Sequence, residues 1–166
     1  VEIIKTLIEH GADCNVSGRN GNTPLTAACR TGNVEIIKTL IEHGADCNAA
    51  DKDGNTPLTA ACRTGNVEIV KTLIEHGADC NVTKKGENTA LNVARSGKLE
   101  ILKILRDHGA DCNAADEYLK TLLVDACEKG NVEFVRTLLT EYKVNVHSAP
   151  KFGNTPLTAA CRTGNV

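Results

Sequence analysis

The stretch DKDGNTPLTAACRTGNVEIVKTLIEHGADCNVT, residues 51–83, decides how this chain folds. Residues 18–50 align with it without a gap over 33 positions and differ from it at only six. A fixed period of this length is typical of arrays in which similar units stack side by side. We therefore divide the chain of 166 residues into a single array with the boundaries 1–17 (a half repeat), 18–50, 51–83, 84–115, 116–149 and 150–166 (a half repeat).

Each regular unit reads as two short helices followed by a turn. In residues 51–83, Thr56 offers an N-terminal cap, and Pro57 stands at the first helical position, where its missing N–H breaks no hydrogen bond. Gly65 can take the left-handed conformation that ends a helix, and Asn66 can cap a second helix with apolar residues at helical spacing. The segment that follows is rich in Asp, Asn and Gly, which predicts an exposed turn. These signals predict an all-α chain of stacked helix pairs.

The composition fits thin helices that stack closely. Aromatic residues make up 2% of the chain, which contains no Trp and no Met. Ala27, Ala28 and Cys29 form a small-residue face on the first helix, so neighbouring helix pairs can approach each other. The eight Cys recur with the repeat, and no CxxC pair occurs, so we expect buried thiols and no zinc site. Eight reduced thiols indicate a reducing compartment, which predicts a cytoplasmic or nuclear protein.

Other features argue against several classes of function. The net charge is −2, without the basic excess of nucleic-acid-binding proteins, and no apolar run approaches the roughly 20 residues of a membrane-spanning helix. The motifs of serine hydrolases, zinc proteases, P-loops and dinucleotide sites do not occur. We therefore predict a protein that is not an enzyme, that needs no cofactor or metal, and that binds neither nucleic acid nor a membrane.

The repeated unit resembles the ankyrin repeat. The matching elements are the turn DxxGNTPL, the AA pair, the linker TGN and the helix end LIEHGAD, and they cover essentially the whole chain. The family signature T-P-L-H-x-A carries a His where Thr26, Thr59 and Thr158 stand here. The resemblance implies an ankyrin-repeat solenoid of antiparallel helix pairs with projecting β-turn hairpins. It also implies a protein–protein interaction module whose partner binds a concave groove.

An Asn also recurs once in each unit, in the sequence DCN. Its position is similar to the site at which some ankyrin repeats are hydroxylated. The alternative, which we favour, is that this side chain stabilises the turn; the residues concerned are Asn15, Asn48, Asn81 and Asn113.

Two units depart from the pattern at the turn. In residues 84–115, Glu87 replaces the turn Gly and Ala90 replaces the Pro of the first helix. In residues 116–149, Leu119 and Leu122 make the same two replacements. Because Leu tolerates a positive φ poorly, we expect a rearranged turn over residues 118–120.

The resemblance places partner contacts on the turns and the first helices. Five of the six differences between residues 18–50 and 51–83 fall at the turn junctions, which favours turns that carry contacts on a constant scaffold. Unconstrained loops are the competing explanation. The predicted protein-binding residues are Arg19, Asn20, Asn22, Arg30, Lys52, Asp53, Asn55, Arg63, Lys85, Asn88, Tyr118, Lys120, Glu128, Lys151, Phe152, Asn154 and Arg162.

Within this set we predict one anchor. Aromatic residues and Arg dominate the energetics of many interfaces, and Tyr118 and Phe152 fall at equivalent turn positions in adjacent units. We expect this pair to contact the partner, with Arg63 and Arg162 beside it. The alternative is that two exposed aromatic residues have no role in binding.

Two further functions stay open. The chain could be a structural spacer or a self-associating section of a longer array, because RTGNV at its end and VEII at its start nearly regenerate the internal RTGNVEII. End-to-end association through uncapped termini is the expected form of that contact. Alternatively, the array could target or regulate an enzyme encoded in the same gene.

Overall fold

A computed structural model of the chain describes residues 1–82, 89–94, 99–111, 116–151 and 153–164. The chain divides into two compact units, one of Val1–Arg95 with Glu100–Ala110 and the other of Ser96–Leu99 with Asp111–Val166. Every regular element in the described residues is a helix. The Lys85 and Asn88 predictions lie outside these residues, as does that for Phe152.

The helices follow the predicted alternation of first and second helices. The first unit holds α1 (Glu2–Glu9), α2 (Pro24–Thr31), α3 (Val34–Glu42), α4 (Pro57–Thr64), α5 (Val67–Glu75), α6 (Ala90–Val93) and α7 (Leu99–Asp107). The first residue of α7, Leu99, is grouped with the second unit. The second unit holds α8 (Asp116–Glu128), α9 (Val132–Thr140) and α10 (Pro156–Thr163).

The caps that the sequence predicts are confirmed in residues 51–83. The Thr56 side chain accepts a hydrogen bond from the backbone N–H of Thr59 at 3.2 Å, and Thr59 Oγ1 accepts one in return from the Thr56 N–H at 2.8 Å. Gly65 is left-handed at the end of α4, with φ +76°, and the Asn66 side chain accepts from the Ile69 N–H to open α5. Thr59 therefore completes the helix start at the position where the family signature has a His.

Small residues fill the space between helix pairs. On α4, the side chains of Leu58, Ala60 and Cys62 are at most 1% exposed. The second helix α5 supplies larger apolar groups, and Ile69 and Leu73 are fully buried. α4 packs against α5, and also against α2 and α6 on its two sides. Close packing by Ala and Cys explains how a chain so poor in aromatic residues forms a core.

The seven described cysteines are free thiols. Burial, with a smaller contribution from Cys47, raises the pKa of the Cys29 thiol to about 12. Burial also raises the pKa of Cys62, and the nearby Cys80 and Cys29 add to that shift. A thiol that stays protonated is a poor nucleophile and a poor metal ligand, so these core cysteines act as small apolar side chains.

An Asn ladder links consecutive repeats. The Asn15 side chain donates to the Gly44 carbonyl at 2.9 Å and accepts from the Asp46 N–H at 2.8 Å. Asn48 makes the same two bonds one repeat further on, to Gly77 and Asp79. These bonds account for the recurring Asn as a connector between neighbouring turns. Asn113 lies outside the described residues.

The prediction of a rearranged turn over residues 118–120 is wrong, because helix α8 runs through these residues. This helix begins at Asp116 and has 13 residues, whereas α2 and α4 have eight. Leu119 and Leu122 are 2% and 3% exposed, so both pack into the core. In the regular repeats, the turn Gly and the Pro at the first helical position confine the helix to the residues that follow them. Here Leu stands at both positions, so the helix continues through them and buries an apolar stripe.

The end of α9 keeps a left-handed turn without Gly. Lys143 has φ +55° and is the only non-Gly residue with positive φ among those described. The next N–H, that of Val144, reaches the Leu138 carbonyl at 3.1 Å, as the N–H of Ala45 reaches Leu40 in the first unit. Residues 116–149 are one residue longer than the regular unit, and the additional residue lies before this turn, between Leu138 and Lys143.

Candidate functional site

The candidate site in the first unit is the surface formed by two adjacent turns and the ends of two first helices, which we call the turn face. It comprises residues 18–22, residues 51–55, Arg30 and Arg63. The side chains at the two tips, Arg19 with Asn20 and Lys52 with Asp53, are exposed, as are both arginines. The turn face thus presents exposed charged and amide groups on both turns.

The two turns are bonded directly to each other. The Lys52 N–H donates to the Asn20 carbonyl at 3.3 Å, and the Lys52 ammonium donates to the Arg19 carbonyl at 2.6 Å. Gly21 lies where the two turns meet, with φ +75°, and a Cβ added there would come within 2.9 Å of the backbone nitrogen of Lys52. Only Gly fits this close approach, so the spacing of the two tips is fixed by the backbone.

A buried carboxylate braces the second turn. Asp51 is 3% exposed and accepts from the Asn55 N–H at 2.8 Å, the Asp53 N–H at 2.9 Å and the Asn55 side-chain amide at 3.0 Å. Arg30, on the first helix of the preceding repeat, donates at 3.1 Å to Asp51 Oδ2, the oxygen that also accepts from the Asn55 side-chain amide. Asp51 therefore ties its own turn to α2 as well as closing it.

The charge of Asp51 is held by these donors. Burial by itself raises the pKa of the carboxyl, but the hydrogen bonds from Asn55 and Asp53 and the positive charge of Arg30 outweigh it. The pKa of Asp51 is therefore lower than its ordinary value of 3.8. The brace is ionised at neutral pH.

The two regular repeats use their arginines differently. Arg63 donates to Asn55 Oδ1 at 2.8 Å within its own repeat, whereas Arg30 crosses to Asp51 in the next one. Position 18, equivalent to Asp51, is Gly, and Asn22 Oδ1 is buried without a hydrogen-bond partner. Asn55 itself is only 7% exposed, so its side chain supports the turn from inside.

The second unit has its own interactions between equivalent positions of neighbouring repeats. Arg162 donates to Glu128, which stands at the equivalent place on α8. Glu117 accepts from the Lys151 N–H at 2.5 Å and lies 3.6 Å from the ammonium of Lys120. Lys151 and Arg162 are exposed, while Lys120 and Glu128 are half-buried. Asn154 is exposed too.

The structure changes the position of the proposed aromatic anchor. Tyr118 does not lie on a turn: it belongs to α8 and is half-buried. The turn position predicted for it was wrong because the Gly and Pro that would define a turn are both Leu in this repeat. Phe152 lies outside the described residues, so the pairing of the two rings remains a prediction.

Sequence reasoning did not include Asp51 among the site residues. The available signal was the Gly18/Asp51 difference between otherwise nearly identical units, which marks a position where a carboxylate enters one turn. The network around Asp51 joins three of the predicted residues, Arg30, Asp53 and Asn55, and reaches Arg63 through Asn55.

Comparison with known families agrees with this geometry. The family model described as ankyrin repeats, in three copies, matches residues 1–84, 49–116 and 91–166. These matches span the whole chain, and the chain belongs to the ankyrin repeat family. Its fold is all-α, and ankyrin repeats are in general non-enzymatic modules for protein–protein interaction. No curated protein matches the sequence.

Two further properties of the described residues concern other kinds of site. None of their helices combines the length and the apolar character needed to cross a bilayer. Within the same residues, no group of three or more His, Cys, Asp and Glu side chains is placed to hold a metal ion.

Proposed function

We propose that the chain binds a protein or peptide partner through its concave groove and turn tips, with the turn face as one contact region. The observation that carries this proposal is a contrast within the turn face. The exposed tip residues differ between two nearly identical repeats, at Arg19/Lys52 and Asn20/Asp53, while the backbone beneath them is fixed by the Lys52–Asn20 bond. Variable side chains on a constant, bonded frame favour recognition over a purely structural role.

The proposed mechanism is preorganisation. A partner that meets tips already held in place loses little conformational freedom of the receptor on binding. The tips combine cationic Arg19 and Lys52 with anionic Asp53, so they select against a partner with one uniform sign of charge. The proposed partner is an extended segment that crosses both turns and presents acidic groups to the two cations.

The proposed compartment is the cytosol or the nucleus. It is supported by the core thiols, since Cys29, Cys62 and Cys80 are buried and free in the structure. Reducing compartments maintain such thiols.

A peptide-selection experiment tests the proposed surface. A random peptide library is panned against the chain, and the affinity of a selected peptide is measured for wild type and for the double variant Arg19→Ala/Asn20→Ala. Both side chains are exposed, and the Lys52 bonds use backbone carbonyls that these substitutions retain. We expect at least a tenfold loss of affinity, which corresponds to about 1.4 kcal/mol.

The matched control is Glu42→Ala/Glu75→Ala, which changes two exposed residues on the second helices α3 and α5. We expect this variant to bind like wild type. A selected peptide that loses affinity for the control and keeps it for the tip variant would place binding on the second helices and refute the turn face.

A further inference from the structure

Arg63 carries an exposed positive charge on the turn face. It lies in the last turn of α4, which has α2 on one side and α6 on the other. Its Nη2 group donates to Asn55 Oδ1 at 2.8 Å, and Asn55 is an amide without charge. Within the described part of the chain, no carboxylate pairs with Arg63, so its charge is not neutralised there.

Arg30, at the equivalent position of the preceding repeat, has its charge neutralised. Its Nη2 group lies 3.1 Å from Asp51 Oδ2, and Asp51 is 3% exposed. A guanidinium that is already paired with a buried carboxylate attracts a further anion less strongly than an unpaired one. Of the two helix arginines on the turn face, Arg63 is therefore the one whose charge is available to a ligand.

The guanidinium of Arg63 keeps the hydrogen-bonding geometry that a carboxylate requires. A guanidinium has five N–H groups, and it pairs with a carboxylate through an edge of two parallel N–H groups. Nη2 contributes one hydrogen to each of two such edges, one shared with Nε and one shared with Nη1. Asn55 accepts from Nη2 alone, so one edge remains complete for a second acceptor.

Asn55 holds Arg63 in place before any ligand binds. Its side chain is 7% exposed and donates to both oxygens of Asp51, at 3.1 and 3.0 Å. The acceptor of the Arg63 hydrogen bond is thus fixed by a buried network. An arginine anchored in this way loses less side-chain freedom on binding than one that moves freely in solvent.

From this arrangement we infer that Arg63 binds a carboxylate of the partner, from an Asp or Glu side chain or from a chain terminus, through the guanidinium edge that Asn55 leaves unused. The partner carboxylate gives Arg63 the counter-charge that Asp51 gives Arg30. This inference rests on the proposed function and deepens it, because it assigns one acidic group of the partner to a residue on a first helix and not to the tips.

A double-mutant cycle tests the pairing. The probes are peptides selected from the random library on the wild-type chain and synthesised with a free and with an amidated C-terminus. In further forms of each peptide, one Asp or Glu at a time becomes Asn or Gln. Calorimetric titration measures the affinity of each form for wild type and for Arg63→Gln. We expect Arg63→Gln to bind the unchanged peptide roughly tenfold more weakly.

The cycle also identifies the carboxylate that Arg63 binds. Neutralising that one group should weaken binding to wild type roughly tenfold and binding to Arg63→Gln less than about twofold. If the group is a side chain, the effect appears at one acidic position of the peptide. If it is the chain terminus, the effect appears between the free and the amidated forms.

Two further variants separate the pairing from general effects. Arg136→Gln makes the same change at an exposed arginine of α9, outside the turn face, and should bind like wild type. Arg63→Lys keeps the charge but lacks the paired N–H edge, so it should also bind more weakly than wild type. Because Arg63→Gln removes a donor from the buried Asn55, circular dichroism and urea denaturation check that both Arg63 variants are folded.

Three results would overturn the inference. They are selected peptides that bind without any carboxylate, equal affinity of wild type and Arg63→Gln, and a loss in Arg63→Gln that is independent of every peptide carboxylate or is matched by Arg136→Gln. The proposed function can survive each of them. A peptide that loses affinity for Arg19→Ala/Asn20→Ala but not for Arg63→Gln would retain the turn face and remove the pairing with Arg63.

Discussion

The turn at residues 18–22 and the turn at 51–55 serve nearly identical helix pairs but are held differently. In the second turn, Asp51 gathers donors from Asn55, Asp53 and Arg30. In the first, Gly18 supplies no carboxylate, and Asn22 Oδ1 is buried without a partner. Both turns still close with the same backbone bond, from residue 18 to Asn22 and from Asp51 to Asn55, at 3.0 and 2.9 Å. The comparison shows that the backbone sets the turn shape, while the carboxylate adds stability and a link to the preceding repeat.

Replacing Asp51 with Gly, the residue at the equivalent position 18, should change the free energy of unfolding more than any other substitution considered. Asp51→Gly removes a buried, charged acceptor and leaves the Asn55 amide and two backbone N–H groups without it. We expect a loss of about 2 kcal/mol in the free energy of unfolding, measured by urea denaturation. Arg30 becomes free to turn towards Asn22 Oδ1, which limits the loss.

The control for that variant is Glu42→Ala, which removes an exposed carboxylate from α3 and should change stability by less than about 0.5 kcal/mol. Equal stability of Asp51→Gly and wild type would show that the network contributes nothing beyond the backbone turn.

The difference in the free energy of unfolding between wild type and Asp51→Gly should become smaller in acid. Because the folded-state pKa of Asp51 is below its ordinary value, its charge contributes stability that is complete above the ordinary value of 3.8. That contribution is lost as the pH falls through the lower, folded-state pKa. Urea denaturation of both chains at neutral pH and at about pH 3 measures the gap. A gap that stays constant or widens in acid would contradict an ionised brace.

Adding a carboxylate to the first turn, at position 18, should change the stability of the chain least. The backbone of Gly18 does not lie in the left-handed region, and a Cβ built there meets only the Asn22 carbonyl at 3.9 Å. Gly18→Asp should therefore stabilise the chain by about 0.5–1 kcal/mol, from its new acceptor and from a less flexible unfolded state.

Gly18→Ala separates those two causes, because it restricts the unfolded chain without adding a carboxylate. Thermal denaturation of both variants measures the difference. If Gly18→Ala stabilises as much as Gly18→Asp, the carboxylate has no effect at this turn.

Local signals in the sequence were sufficient for most of the helices. Thr56, Pro57, Gly65 and Asn66 act through neighbours within a few residues, so their roles follow from spacing alone, and the structure confirms them. Residues 116–120 show where such signals fail. The sequence indicated that the Gly turn was lost there, but only the burial of Leu119 and Leu122 shows that a helix replaces it.

The candidate site was less accessible to sequence reasoning. Arg30 and Asp51 are 21 residues apart, and either of two equivalent arginines could have taken either acceptor. The choice depends on which carboxylate or amide the packing of α2 and α4 brings within reach. The tip residues Arg19, Asn20, Lys52 and Asp53 were predicted from the family resemblance and from their variation between the repeats, whereas the bonds beneath them became visible only in the three-dimensional structure.

Hydrogen exchange with a selected peptide tests the central claim, that a partner binds the turn face, most directly. In the bound chain we predict slower exchange of the backbone amides of residues 18–22 and 51–55, together with unchanged exchange in α3 and α5. Protection confined to α3 and α5, with both turns exchanging as in the free chain, would contradict the account.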